Sequence, residues 1–342
     1  MKRIVSLLTG AAALAVAAFP ASAQDVTLTL HHFLGPKAPA HSKMLEPWAR
    51  SVEEASDGRI KVEIFPAMSL GGKPPELYSQ VRDGVVDIVW TVLGYTPGVF
   101  PRTEVFELPG VHGGSAEDTT VAIAESFDMI ADDFKDVHPI LVHVHGGQAF
   151  HMVDKPVRSP ADLEGLKLRT PSRIGGWTIE AYGAEPVGMP VPDLPQALSK
   201  GVVAGAMVPF EIMRPLKLQE LTQYSTEGPG GERFGTATFM IAMNKDRYDS
   251  LPDDLKKVID DHSMSNIAST YGAVWDGSEG DGKSLRAESG ELITLTEDEM
   301  AAFDAKAQEV IDRWIAEADS NGMDGAGMVK AAQESIGAQS GN

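Results

Sequence analysis

One unit occurs twice in this chain, and it restricts the fold more than any other feature. Gln80-Val-Arg-Asp-Gly84-Val-Val86 is echoed by Gln196-Ala-Leu-Ser-Lys-Gly201-Val-Val203 with one residue of offset, about 117 positions later. Each copy reads as the end of a helix, a glycine just past it, and the start of an apolar strand. A glycine there is free to take the positive φ that closes a helix. The first copy is preceded by Ile60, Val62 and Ile64, which alternate as a strand and stop at Pro66. A helix from about Pro74 to Asp83, with Leu77 and Val81 on one face, then leads into a short buried strand over Gly84 to Trp90. The second copy follows the same order. Pro186-Val-Gly-Met-Pro190 is a short strand with a proline stop, Pro192 to Lys200 a helix, and Gly201 to Val208 the next strand. Strand–helix–strand alternation implies parallel or mixed sheets with helices on both faces. Two copies imply two similar α/β lobes.

The remaining segments fit around those lobes. Val26, Leu28 and Leu30 alternate as a first strand, and Pro39 to Ser56 reads as a helix with Met44, Trp48, Val52 and Ala55 at helical spacing, closed by Gly58. Gly228-Pro-Gly-Gly231 is the clearest loop, with a strand from Ala237 to Met243 after it. Ser250-Leu-Pro-Asp-Asp-Leu255 starts a helix that runs past Val258 and Ile259, and Leu292, Thr294 and Leu295 suggest a strand. Thr296-Glu-Asp-Glu299 is a capping box that opens a long helix with Phe303, Ala307, Val310 and Trp314 facing inward. From Asn321 the tail is rich in Gly, Ala and Ser and is expected to be mobile. The expected division is a leader over 1–23, lobe I over 24–147 plus about 234–275, lobe II over 148–233 plus about 276–320, and a tail over 321–342.

The leader is expected to be a secretory signal. Lys2 and Arg3 supply the positive start, Ile4 to Ala18 an uncharged apolar run, and Ala21-Ser22-Ala23 a cleavage site. A soluble exported protein beginning near Gln24 follows. Loss of Lys2 and Arg3 moves the formal net charge from −20 to −22. Such an acidic surface argues against nucleic acid and anionic membrane as partners. The chain has no cysteine, which excludes thiol catalysis, zinc–thiolate sites and an N-terminal lipid thioether. A chain of this length builds its core without disulfides.

The stretch Ala161-Asp-Leu-Glu-Gly-Leu-Lys-Leu-Arg169-Thr-Pro-Ser172 carries the candidate chemistry. Leu166 and Leu168 alternate with Lys167 and Arg169, and Pro171 and Ser172 stop the strand and offer a helix start. Arg169 therefore stands near the carboxyl end of a strand, where open α/β sheets collect ligands. Its guanidinium offers a planar fork of donors suited to a carboxylate. The residues alone leave open an arginine that merely caps or pairs with a Glu.

Other constellations fail. His143 and His145 share a strand face, and His31 and His32 adjoin Phe33, but no third metal ligand lies at a recognisable spacing. These histidines read as solvated or hydrogen-bonded, with His32 a candidate to point into a cleft. Asp319 to Lys330 resembles a calcium loop but ends in Lys where Glu is required, and Gly71-Gly-Lys-Pro lacks the phosphate-loop frame. No metal and no cofactor are expected. No hydrolase elbow or metalloprotease motif occurs.

With these residues in view, the chain resembles the extracytoplasmic solute-binding proteins of TRAP transporters, the DctP-like group, over essentially its whole mature length. The strongest pieces are Gly58-Arg-Ile-Lys-Val-Glu-Ile-Phe-Pro66 through Gly71-Gly-Lys73 to Gly84-Val-Val-Asp87, Phe100-Pro101 through Leu108-Pro109, and Asp162-Leu-Glu-Gly-Leu-Lys-Leu-Arg169. The resemblance implies a two-lobed periplasmic binding protein fold with hinge strands and a long C-terminal helix spanning both lobes. It implies a periplasmic receptor, not an enzyme, that captures a small organic carboxylate and delivers it to the membrane permease subunits. In that family the last Arg of the motif, here Arg169, anchors the ligand carboxylate. Two frequent polar companions are missing: Ala149 stands where a second Arg is common and Val208 where an Asn often follows.

The site should therefore be dry, with one charged anchor. Its candidate walls come from strand ends: His32, Phe33, Trp90, Tyr95, Gln148, Phe150, Trp177, Met189, Met207, Val208 and Phe210. The expected ligand is a monocarboxylate with an apolar or aromatic body. The alternative is a zwitterionic osmolyte of betaine or sulfonium type, held by Trp90, Tyr95 or Trp177 through cation–π attraction and assisted by Glu211. An exported hydrolase and an input module for a sensor kinase are remoter readings.

Overall fold

Two mixed sheets organise the computed structural model, which describes residues 25–341; the expected leader lies outside the described residues. In chain order the strands of the first half are β1 (Val26–His32), β2 (Ile60–Phe65), β3 (Ile88–Val92), β4 (Val137–Val144) and β5 (Ala149–Met152). They continue as β6 (Lys167–Thr170), β7 (Glu185–Gly188), β8 (Gly205–Val208), β9 (Tyr224–Glu227), β10 (Thr238–Asn244) and β11 (Glu291–Thr294). The first sheet runs β2-β1-β3-β10-β4 and the second β11-β9-β5-β8-β6-β7.

The duplicated unit is visible in these orders. In lobe I, β1 lies parallel between β2 and β3, and β10 joins β3 antiparallel. In lobe II, β6 lies parallel between β7 and β8, and β5 joins β8 antiparallel. Lobe I thus borrows β10 and lobe II borrows β11, and the chain changes sheet three times, between β4 and β5, between β9 and β10, and between β10 and β11. Gly84 and Gly201 take the expected positive φ, 71° and 65°. The strands after them begin later than predicted, at Ile88 and Gly205. Val85 and Val202 are exposed in the turns, while Val86 and Val203 are buried. A glycine-terminated helix needs a few residues to turn back onto its sheet, so the apolar run overstates the strand.

The helices are α1 (Glu46–Ala55), α2 (Leu77–Arg82), α3 (Ala116–Glu125), α4 (Arg173–Ala181), α5 (Leu194–Ser199) and α6 (Met213–Leu216). After them come α7 (Lys245–Asp249), α8 (Asp253–Asp261), α9 (Ala268–Ser289), α10 (Glu297–Ser320) and α11 (Gly325–Ser340). The Thr296 capping box opens α10 as expected, with Phe303, Ala307, Val310 and Trp314 buried. Among the described residues, no helix is long and apolar enough to cross a membrane.

Two stretches differ from expectation. The helix α9 has no counterpart in the sequence reading, because Gly272, Gly277, Gly280 and Gly282 interrupt its apolar face and glycine disfavours helices. Tertiary packing overrides that penalty. A Cβ on Gly282 would lie 2.0 Å from the Phe210 carbonyl oxygen, so only glycine lets the helix back rest on the loop after β8. This helix bridges the lobes. Near its start, Asp276 accepts the Ala116 and Glu117 N–H groups of α3 at 2.7 and 3.0 Å; farther on, Glu279 accepts from Phe210 and Glu211 of lobe II. The second difference is the tail expected to be mobile: residues 325–340 form α11, which buries Met328, Val329, Ala332 and Ile336 and packs on α3 and α10. Its small residues permit that close helix–helix approach.

Candidate functional site

Arg169 reaches its position through the grammar of its strand end. Leu168 and Arg169 pair with Gly205 and Ala206 of β8, Thr170 ends the strand, and Ser172 Oγ caps α4 by accepting the Gly175 N–H at 3.2 Å. The side chain turns inward and is 2% exposed. Nε donates to the Met189 carbonyl at 3.0 Å, Nη1 to the Met207 carbonyl at 3.3 Å, and Nη2 to the Tyr95 hydroxyl at 3.4 Å. All three acceptors are neutral. Burial draws its pKa below the ordinary arginine value, with Tyr95 and Asp193 pulling the other way. An arginine nevertheless keeps its charge, so the lobe holds a buried cation that makes no ion pair with any described residue.

Tyr95 brings the other lobe to it. It follows β3 in a tight turn, and its hydroxyl also accepts the Val191 N–H at 2.8 Å. Burial raises its hydroxyl pKa, against the pull of Arg169. The preceding Gly94 lies so close to the β6–α4 turn that a Cβ there would stand 2.4 Å from the Ser172 Cβ.

Between the lobes lies a narrow cleft whose cavity measures about 30 Å³. One wall is aromatic. Phe33 stacks on Trp90 with centroids 4.7 Å apart and planes 12° apart, and Trp90 stacks on Phe239 at 5.2 Å and 7°. Trp90 Nε1 donates to His143 Nε2 at 2.9 Å, and His143 Nδ1 in turn lies 3.1 Å from the Val144 carbonyl. That pattern fixes a neutral imidazole, and burial takes its pKa down to about 4. Leu34, Val92, Val191, Ile212 and Ala237 add aliphatic surface.

Besides Tyr95 and the Trp90 indole, the polar side chains that line the cleft are Arg169, His145 and Glu211. His145 Nδ1 accepts the Gly147 N–H at 3.0 Å, which leaves the ring proton on Nε2. Burial, then His112, His143 and Arg169, keep it uncharged well below the usual histidine range. Burial, then the nearby Glu279 carboxylate, hold the Glu211 carboxyl well above the usual range.

Of the residues singled out in the sequence, Arg169, Phe33, Trp90, Tyr95, Met207, Val208 and Glu211 line the cleft. Met189 contributes its carbonyl to Arg169 but no wall. His32 faces away, its Nε2 2.8 Å from His41 Nδ1. Gln148 spends its amide on the Thr236 carbonyl at 3.0 Å. Phe150 packs on Phe234 at 4.4 Å in the lobe II core. Trp177 lies between Arg173 and Arg313, 4.6 and 4.0 Å from its ring, and Phe210 packs on His151 at 4.9 Å. Their strand-end positions were right, but side-chain direction at a strand end depends on twist and register. His145 and Phe239 were missed. Phe239 reaches the site because β10 pairs it with Val92, a long-range register no local pattern reveals.

Ala149 and Val208, where the polar companions are missing, are direct cross-strand partners on β5 and β8. One patch of sheet is thereby made apolar on both strands. Among the described residues, no group of three or more His, Asp or Glu could hold a metal ion.

The family described as bacterial extracellular solute-binding protein, family 7, matches residues 30–318. A TRAP solute-binding protein from a marine metagenome, specific for aromatic acid ligands and bound to 3-hydroxybenzoate, is 44% identical with a TM-score of 0.90, covering 92% of this chain and 99% of that one. One from Rhodoferax ferrireducens, in complex with copurified benzoate, is 40% identical with a TM-score of 0.89, covering 92% and 98%. A dicarboxylate-binding periplasmic protein of Rhodobacter capsulatus is 25% identical over 319 residues, covering 91% of this chain and 93% of its own.

Proposed function

The chain belongs to the bacterial extracellular solute-binding proteins of family 7, and we propose that it captures an aromatic monocarboxylate and hands it to the permease of a TRAP transporter. The observation that carries this reading is a buried arginine with no counter-charge, set in a cleft walled by the Phe33–Trp90–Phe239 stack. A ligand carboxylate supplies what Arg169 lacks, and an aromatic ring fills the space beside Trp90. The metagenomic and Rhodoferax relatives, which hold 3-hydroxybenzoate and benzoate, support the same class.

The energetics require both parts. Charged hydrogen bonds contribute about 1.5–3 kcal/mol each, whereas micromolar affinity needs about 8 kcal/mol. Arg169 already gives two of its donors to carbonyls, so the ring and the lobe closure around it must provide the rest. The missing polar companions at Ala149 and Val208 disfavour a second carboxylate, since burying it without a partner costs several kcal/mol, on the order given for unpaired charges. The lining offers binding groups: besides Arg169 and Tyr95 its ionisable side chains are His145, which burial draws well below the usual histidine range, and Glu211, which burial and Glu279 hold well above the usual carboxyl range. In this reading the leader is removed near Ala23 and the receptor works in the periplasm.

Isothermal calorimetry of the protein from Gln24 onward tests the reading with benzoate, phenylacetate, succinate and ectoine. Benzoate or phenylacetate should bind with a dissociation constant in the micromolar range or below, and be recovered unchanged. Binding of succinate or ectoine alone would overturn it.

A further inference from the structure

The cleft contains a second unsatisfied polar group, and it is an acid. Glu211 is 7% exposed and lines the same cavity as Arg169. Its carboxyl makes no hydrogen bond or ion pair with any described residue, and its Oε2 is fully enclosed. Glu211 also borders an outer pocket with Lys37, Lys43 and Arg214, none of which pairs with it, and the buried charges beside it are engaged elsewhere. Glu279 accepts the Phe210 and Glu211 backbone N–H groups and pairs with Arg233. Glu107, the other buried acid with an unpartnered oxygen, differs in that its Oε1 accepts the N–H and hydroxyl of Thr238.

An ionised carboxylate with no donor in such surroundings is expensive, so the group takes the neutral form. Burial and the Glu279 carboxylate act in the same direction. A neutral carboxyl offers one donor and one acceptor. Its complement in a ligand is a group that both gives and takes a hydrogen bond, which is a hydroxyl. His145 lines the same cleft and keeps its ring proton on Nε2, a second donor available to a ligand there.

We propose that Glu211 is the specificity residue of the cleft and selects aromatic acids that carry a ring hydroxyl. Arg169 fixes the carboxylate end, the Phe33–Trp90–Phe239 stack holds the ring, and Glu211 reads the hydroxyl. This rests on the aromatic-acid reading above, and the experiment separates the two.

Calorimetry compares benzoate with its 2-, 3- and 4-hydroxy derivatives and with ectoine, on native protein and on Glu211→Leu and Glu211→Gln. At least one hydroxybenzoate should bind the native protein about ten-fold more tightly than benzoate, the size expected for one satisfied buried hydrogen bond. Glu211→Leu should abolish that preference, read as the ratio of the benzoate to the hydroxybenzoate dissociation constant in the same variant. Glu211→Gln keeps a donor and an acceptor and should retain most of the preference. A hydroxyl preference that survives in Glu211→Leu overturns the proposal, as does its absence in the native protein. Tight ectoine binding that Glu211→Gln destroys would make the acid an ionised cation clamp and overturn it as well. Loss of benzoate binding to the native protein would instead overturn the aromatic-acid reading itself. The Leu variant should fold, since it replaces an unsatisfied buried acid by an apolar group; its melting temperature confirms that each comparison is made on native protein.

Discussion

Two buried arginines divide the labour between the cleft and the crossing of the lobes. Arg233 is 5% exposed and lies just before the chain passes into β10. Its guanidinium pairs with Glu227 of β9 at 2.6 Å and with Glu279 of α9 at 3.3 Å, and Lys283 adds a further contact to Glu227 at 2.9 Å. Arg169 is equally buried but meets two carbonyls and a tyrosine hydroxyl. At the crossing the protein supplies the counter-charge and gains a fixed junction. In the cleft it supplies none, and the proposed function leaves that place to a ligand. A third case guards against reading too much into a missing partner. Arg286 is fully buried and also lacks a carboxylate; its Nε and Nη2 donate to the Ser225 and Thr222 hydroxyls, its Nη1 has no partner among the described residues, and it lines no part of the cleft. An unpaired arginine marks a site only where a cavity adjoins it.

Replacing each arginine by leucine gives the largest expected effects, and they should differ in kind. Arg233→Leu takes from the Glu279 carboxylate its only ion pair among the described residues, leaves Glu227 with Lys283 alone and should cost about 3–5 kcal/mol of stability, read as a lower midpoint in a denaturant titration. Arg169→Leu removes an uncompensated buried charge, so its stability should hold or rise. Its affinity for an aromatic acid should fall by about 100-fold or more, as expected when a charge-assisted pair is lost. Arg169→Lys should fall clearly too, since an ammonium lacks the fork. Equal losses of stability in the two leucine variants would erase the distinction between the regions.

Glu107 tests whether the lobe I side of this junction also holds neutral acids. Burial pushes its carboxyl up to about 7, against the bonds from Ser172 and Thr238. Between the ordinary glutamate value and that pH, the folded protein holds a proton that the unfolded chain has released. The contribution to stability is therefore complete at low pH and is lost as pH rises through 7. The loss is at most about 3 kcal/mol, from the free energy of a pKa shift of this size. Glu107→Gln has no proton to lose, so its melting temperature should gain on the native protein between pH 5 and pH 8. A constant difference across that range would refute the raised pKa.

A smaller effect is expected where the two regions share a support. Gly282 of α9 backs the Phe210 carbonyl, one residue before the acid of the cleft, and lies three residues after Glu279, the partner of Arg233. Gly282→Ala inserts a methyl group where none fits and should cost about 1–3 kcal/mol. It should also weaken ligand binding, because Phe210 and Glu211 must shift together. Unchanged stability would mean the loop yields freely.

What the sequence made legible was local. The duplicated helix–glycine–strand unit, the capping box at Thr296 and the strand-to-helix turn after Arg169 are each written in a few consecutive residues, and each recurs in the fold. The missed parts depend on contacts between distant segments. The glycines of α9 look like loop residues until Phe210 is seen against Gly282. The tail looks mobile until α3 is seen beneath it. Phe239 and His145 enter the cleft only through the antiparallel pairing of β10 with β3 and β4. Arg169 was legible because a strand end and a helix cap fix where its backbone lies; the aromatics around it were legible in position but not in direction.

That limit on direction gives the smallest expected effect and a sharp control. Trp90 and Trp177 were equal candidates for the ring wall, and both are buried. Trp90 stacks between Phe33 and Phe239 and lines the cleft. Trp177 instead faces outward from α4 into the guanidinium groups of Arg173 and Arg313, where cation–π contacts contribute about 0.5–1 kcal/mol to stability at exposed sites. Trp177→Leu should therefore leave the dissociation constant for an aromatic acid within about two-fold, as for a change remote from the ligand. Trp90→Leu removes an aromatic face from the ring wall and should weaken binding by about ten-fold, in line with the value of an aromatic pair beyond its buried area. Equal losses in the two variants would mean that the ligand reaches the α4 side of the lobe, and would move the binding site away from Arg169.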